Sequence, residues 1–172
     1  RDNRKGQLIR QLGSKHADVA EMARLELAHE GWLYDGTLRG ADLSGAALSK
    51  AELSGADLTG ANLQGAILNE ATLVDVKLTG ADLTNAKLNG AKADLSAAQL
   101  TAANLSRAEL GAAILWETVF TQADLTRADL SEVKYWTVAQ LAQARTAEGA
   151  IMPDGRLLGR QADQAFERRE GP

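Results

Sequence analysis

From Gly40 onward the apolar and polar positions follow a five-residue cycle: GADLS GAALS KAELS GADLT GANLQ GAILN EATLV DVKLT GADLT NAKLN. Leucine recurs at 33, 38, 43, 48, 53, 58, 63, 68, 73, 78, 83 and 88. The phase then shifts and resumes at Leu95, Leu100, Leu105, Leu110, Leu115, Phe120, Leu125, Leu130 and Tyr135. Of these 21 centres 19 are Leu, and Ala stands two residues before 16 of them. A pattern this regular restricts the backbone severely.

Neither simple secondary structure accommodates it. Five residues advance an α-helix by about 500°, so successive leucines would lie about 140° apart and no apolar face would form. Glycines at 40, 45, 55, 60, 65, 80 and 90 would each cost a helix interior about 1 kcal/mol. A flat strand fails too, because an odd period sends successive leucines to opposite faces. A chain that turns a corner every five residues satisfies the pattern. Ala and Leu, two apart, point inward on a short extended segment, and the other residues form the outward turn. Each buried Leu then contributes ~1.5–3 kcal/mol, while the small Ala keeps the coil narrow. Phe120 and Tyr135 are expected to fill the tapering last coils. Leu88 and Leu95 are seven residues apart, which places an irregularity at 91–94, read as a tolerated two-residue bulge.

Both flanks read as caps, which a solenoid needs to protect its open edges. Arg4 to Leu12 predicts a short helix. Ser14 precedes a second, His16–His29, with Val19, Met22, Ala23 and Leu27 near helical spacing and Gly31 at the stop position. Thr137 is placed to N-cap VAQLAQAR, with Val138, Leu141 and Ala142 on one face. Gly149 to Gly155 predicts a turn through Pro153. The polar tail through Arg168, Arg169 and Pro172 is expected to fray. The domain reading is a helical cap over 1–30, a repeat body over 31–136, and a short helix and tail over 137–172.

Composition agrees with a thin interior. Hydrophobic residues make up 45% of the 172, yet only 4% are aromatic, whereas a compact globule fills its core with large side chains. The net charge of −4 lacks the basic footprint of a nucleic-acid binder, so no direct nucleic-acid binding is expected. There is no cysteine for a staple or a zinc site. No apolar run approaches the ~18–20 residues of a membrane span. The chain begins at Arg1 rather than Met, which is read as a fragment of a longer protein.

The repeats resemble the pentapeptide-repeat family, whose motif is A-(D/N)-L-x-x, over Gly31 to Trp136. That resemblance implies an all-β solenoid, a right-handed quadrilateral β-helix of about five coils with short α-helical N- and C-terminal caps. Four pentapeptides make one coil, so Leu stacks on Leu 20 residues later, and at ~4.8 Å per strand the rod is about 25 Å long. The flanks resemble a bacterial subset in which a helical hairpin leads through a GWL-x-DG phrase, here Gly31 to Gly36, and a short helix ends in an MPDG phrase, here Met152 to Gly155. In that subset membrane helices can precede the hairpin. The location is therefore left open between cytoplasmic and membrane-tethered, with the repeats in solution.

No catalytic constellation is visible. His16 and His29, the two histidines, both fall in the N-terminal cap and read as surface groups. Nucleophile elbows and phosphate loops are absent from the sequence. No catalytic, metal or cofactor residue is expected. Stacking by 20, continued through the irregularity, would align Asp42, Asn62, Asp82, Asn104 and Asp124 in one acidic/amide ladder. This ladder is read as structural, with an acidic stripe or a weak cation site as alternatives. Ile114, Trp116 and Val119 fall at outward positions and form a candidate partner patch, to be covered by a folded-back Ile151, Met152, Leu157 or Leu158, or used by another molecule. The leading expectation is a non-catalytic protein-interaction or scaffold module with unknown protein partners, either monomeric or a homodimer through an end cap. The rival comes from relatives that mimic DNA and inhibit DNA gyrase, giving quinolone resistance. Against it, Lys50, Lys77, Lys87, Lys92, Arg107 and Arg127 interrupt any phosphate-like array.

Overall fold

In the computed structural model, residues 2–90 and 93–158 are described. Each pentapeptide contributes one rung: the residue between the inward Ala and the inward Leu pairs in parallel with its counterpart one coil later. Four ladders result. The first runs Asp42, Asn62, Asp82, Asn104, Asp124 and Thr146; the second Ala47, Ile67, Lys87, Glu109, Asp129 and Ile151. The third runs Glu52, Thr72, Asp94, Ile114 and Lys134, and the fourth Asp57, Lys77, Gln99 and Val119. Two hydrogen bonds hold each rung, as where Leu43 N–H donates to the Asn62 carbonyl at 2.8 Å and Asn62 N–H to the Ala41 carbonyl at 2.9 Å. The rungs thus continue past residue 136, through Thr146 and Ile151.

Corners close by a turn in which the N–H three residues after the first, leucine, position bonds its carbonyl, as from Ala46 to Leu43 at 3.1 Å. The third residue of that turn has positive φ, the signature of a type II turn. Gly60 (φ 67) suits it, since it has no Cβ to clash. The same conformation is held by Lys50, Glu70, Asp75 and Asn85, and by Ala97, Ala102, Arg107 and Ala112.

The interior consists of stacked Leu and Ala, from Leu43 and Ala46 through Leu130, nearly all fully buried. The seven-residue interval leaves this stack intact. The rung spacing becomes 22 across Thr72–Asp94, Lys77–Gln99, Asp82–Asn104 and Lys87–Glu109, then returns to 20 at Asp94–Ile114. The irregularity therefore lies in one corner; its residues 91 and 92 are outside the described residues, whereas Ala93 is buried and Asp94 takes its rung.

The N-terminal edge is covered by α1 (Asp2–Leu12) and α2 (Ala17–His29). They bury Leu8 and Leu12 from α1, and Ala20, Ala23, Arg24 and Leu27 from α2. The helix therefore faces the coil one step away from the expected stripe: Met22 is 73% exposed. Ala20, Ala23, Arg24 and Leu27 follow the i, i+3, i+4, i+7 rule of a single face, and Met22 lies off it. The exposed strand edge still needs donors and acceptors. Ala47 N–H donates to the Ser14 carbonyl at 2.8 Å, and Arg24 Nη1 to the Glu52 carbonyl at 3.1 Å. Glu21 holds that guanidinium with both oxygens at 2.7 Å. Gly13 lets the connection approach closely, because a Cβ there would lie 3.0 Å from the Asp42 carbonyl oxygen.

At the other end α3 (Val138–Leu141) takes the place that a further rung of the fourth ladder would occupy. Thr137 caps it through a reciprocal capping box with Gln140. The Gln140 amide also donates to the Leu115 and Thr118 carbonyls at 2.9 and 3.1 Å, the second in place of the donor a further rung would have given. Leu141 is buried, while Val138 is 46% exposed and Ala142 is exposed, so only the middle member of the expected apolar face points inward. The turn at Met152–Gly155 returns the chain, and Leu157 pairs antiparallel with Ile151. The tail beyond Leu158, with Arg168, Arg169 and Pro172, lies outside the described residues.

Candidate interaction surface

Among the described residues the large exposed apolar side chains are Met22, Leu25, Tyr34 and Ile67 in the first half of the chain, and Trp116, Tyr135, Val138 and Leu157 in the second. Trp116 is 55% exposed on the corner between the third and fourth ladders. Ile114 and Val119 flank that corner, one on each face, and both are half-buried. The patch is thus an edge with one protruding indole. The segment considered as its cover lies elsewhere: Ile151 continues the second ladder, Leu157 is paired with it and 73% exposed, and Leu158 bonds Ala150 and Gly149.

Two exposed side chains near this edge escaped the sequence reading. Tyr135 was expected to fill the last coil, as Phe120 does with full burial, yet Tyr135 is 68% exposed. The ladder ends at Lys134; Tyr135 takes φ 56 as the chain leaves for α3, and Leu141 supplies the buried apolar side chain at that end. Val138, in the first turn of α3, is the second. Only the end of the repeat could have signalled this, since Tyr135 keeps the centre position of its pentapeptide. Thr118 is the opposite case: it stands where Ala is usual, is buried, and donates its hydroxyl to the Leu95 carbonyl at 2.8 Å.

The ladder residues Asp42, Asn62, Asp82, Asn104 and Asp124 occupy consecutive rungs of one face. Each turns a side-chain oxygen onto the backbone N–H two residues on: Ser44, Gln64, Thr84, Ser106 and Thr126, at 2.9–3.1 Å. Asn62 also donates to Asp42 across the coils at 3.1 Å, and Gln64 to Asp82 at 2.6 Å. Bonds to Ser44 lower the Asp42 pKa. At Asp82 and Asp124 burial pushes upward, and donors from Thr84 and Gln64, or from Thr126 and Arg145, outweigh it. These carboxylates are held charged by neighbouring side-chain donors together with the backbone N–H two residues on.

Asp57 is the most perturbed acid. Its side chain is 2% exposed, and Arg39 forks onto Oδ2 through Nε at 2.8 Å and Nη2 at 2.7 Å. That bond, aided by Thr59 against the cost of burial, lowers its pKa to about 2. His16 and His29 are both exposed. Among the described residues no group of three or more His, Cys, Asp or Glu side chains is placed to hold a metal ion. No described helix is long and apolar enough to cross a membrane.

A pentapeptide repeat protein from the thylakoid lumen of Arabidopsis thaliana is 32% identical over 75% of this chain and 85% of its own, with a TM-score of 0.61. HetL, a pentapeptide repeat protein involved in heterocyst differentiation regulation in the cyanobacterium Nostoc, is 32% identical over 70% of this chain and 61% of its own, with a TM-score of 0.35. Full-length QnrB1, a plasmid-mediated fluoroquinolone resistance protein, is 18% identical over 81% of this chain and 78% of its own, with a TM-score of 0.39. No curated protein sequence matches the chain. The family model for pentapeptide repeats matches in eight copies, over residues 34–65, 56–92, 66–110 and 103–134. With parallel rungs on four faces and that match across most of the body, the chain belongs to the pentapeptide-repeat family and is a right-handed β-helix.

Proposed function

We propose that this protein is a non-catalytic interaction module that engages a protein partner through the edge carrying Trp116. The observation that carries this reading is the exposure of Trp116, 55%, on a molecule whose other described tryptophans are buried or packed against the core. An indole offers a large apolar area at little entropic cost, and such side chains dominate protein interfaces. Tyr135 and Val138, 68% and 46% exposed on the neighbouring segment, extend the same surface. A scaffold role also suits a rod whose cost of ordering is already met by stacking, because a rigid surface loses little freedom on binding.

The test is affinity capture of the full-length protein from its own host, with Trp116→Ala alongside. A partner retained by the native protein and lost with the variant upholds the reading; capture unaffected by the substitution removes it. The DNA-mimic rival is separated by a gyrase supercoiling assay, where dose-dependent inhibition would replace the interaction-module reading.

A further inference from the structure

Between Asp42 and Lys134 the sequence contains two arginines, Arg107 and Arg127, and the fold stacks them. Arg107 N–H bonds the Thr126 carbonyl and Arg127 N–H the Glu148 carbonyl, each at 2.9 Å, so the two occupy the same corner one rung apart. Asn85 stands in that corner one rung above and Gly149, whose Cβ position would meet the Arg127 side chain at 3.2 Å, one rung below. Both arginines are exposed. Their backbones lie at rung spacing, ~4.8 Å, and two like charges on neighbouring rungs repel each other. Among the described residues neither forms an ion pair with a carboxylate; Asp124 is engaged by Arg145 at 2.8 Å and by Thr126 N–H, Glu109 by the Asn89 amide at 2.6 Å, and Glu148 has an engagement of its own.

The same corner forms a shallow groove. Thr84, Ser106, Thr126, Arg107, Arg127 and Glu148 are among the residues that line it. Ser106 and Thr84 already donate their hydroxyls, to Asn104 at 2.7 Å and Asp82 at 2.6 Å. The Thr126 hydroxyl makes no such bond among the described residues. Two arginines and one available hydroxyl therefore line one trough.

We propose that this groove is an anion site for a phosphate group, bracketed by Arg107 and Arg127, with the Thr126 hydroxyl as a further donor. A tetrahedral dianion relieves the repulsion between the stacked charges and presents enough oxygens for both forks, the arrangement in which arginine outperforms lysine. Carboxylate at Glu148 lines the site as well and favours a compact group over an extended polyanion.

The experiment is an NMR titration of the full chain with inorganic phosphate at constant ionic strength. Saturable shifts confined to Thr84, Ser106, Arg107, Thr126 and Arg127 are expected. Arg107→Gln and Arg127→Gln should each weaken binding about tenfold, as expected for one charge-assisted contact. Glutamine suits this backbone, since Gln122 already holds φ 59 at an equivalent corner, and unchanged circular dichroism would show that the coil persists. Titration with a neutral peptide bearing one phosphoserine separates the sources: tighter binding than inorganic phosphate assigns the group to a protein, equal binding to a small molecule. Absence of saturable shifts with either probe, or shifts that survive the double substitution, would overturn the proposal.

Discussion

The upstream and downstream coils share an interior but not a perimeter. On both sides of the irregularity Leu and Ala are buried to the same degree, as Leu63 and Ala66 are matched by Leu105 and Ala108. The corners differ. Upstream the left-handed position is often glycine, at 40, 45, 55, 60, 65 and 80; downstream it is Ala97, Ala102, Arg107, Ala112, Glu117, Gln122, Arg127 and Glu132. Side chains with a Cβ resist this conformation by about 1–2 kcal/mol per residue, yet φ remains between 54 and 61 at those downstream corners. Corner identity therefore does not create the corner. Stacked rungs and buried leucines impose it, and the downstream half carries the strain that results. It also carries Arg107 and Arg127, side chains that a glycine at the left-handed position cannot present, and Trp116, one residue before the corner residue Glu117.

This contrast can be broken in four ways. Leu105→Ala should have the largest effect, a loss of about 3 kcal/mol in chemical denaturation, from lost burial and the cavity left behind. Leu63→Ala should match it if the interiors are equivalent; a markedly smaller loss downstream would mean that strain has already loosened those coils. Gln140→Ala comes next, at about 1–2 kcal/mol, since it removes the capping box and the donors to the Leu115 and Thr118 carbonyls. Faster amide exchange should appear in the last coils and leave the first ones unchanged.

Opposite signs are expected from exchanging corner residues. Gly60→Ala, at φ 67 with open space around its Cβ, should destabilise by about 1 kcal/mol through backbone strain alone. Ala102→Gly, at φ 56, should stabilise by about 0.5 kcal/mol, the relief of strain exceeding the added freedom of the unfolded chain. Thermal denaturation of both variants decides it, and equal signs would refute strain as the difference between the halves.

The smallest effect is electrostatic and belongs to the upstream end. Asp57 titrates near 2 in the folded protein because of Arg39, below the ~3.9 of an unfolded chain. A lowered folded pKa means the unfolded state binds the proton first, so the stabilisation is complete above pH ~4 and is lost as pH falls toward 2. Arg39→Gln should flatten the stability profile across that window; an unchanged profile would assign acid sensitivity to other carboxylates.

The chain does not encode all of its regions equally. The repeat body was legible because each pentapeptide restates the same constraint, and even the seven-residue interval left the Leu and Ala stacks in phase. The caps were legible as helices but less so as faces. Short helices offer several near-equivalent apolar stripes, and which one turns inward depends on where the coil edge lies; Met22 and Val138 were misplaced for this reason. Tyr135 occupies a centre position by sequence and leaves the core because no following rung holds it there. The acidic ladder was legible as an alignment, while the backbone bonds that occupy its carboxylates were not. Arg107 and Arg127 are 20 residues apart, so their adjacency follows from the repeat, but the groove and the absence of an ion-paired carboxylate among the described residues do not.

By itself the sequence determined the coil: a period of five leaves Leu and Ala no common surface except the inside of a chain that turns at every quintet, and burial of that surface drives the rest. Tertiary structure alone decided the ends and the outside. Which helix face meets the edge, which aromatic stays in solvent and which charges find partners all depend on distances between segments far apart in the chain, and no local pattern encodes them.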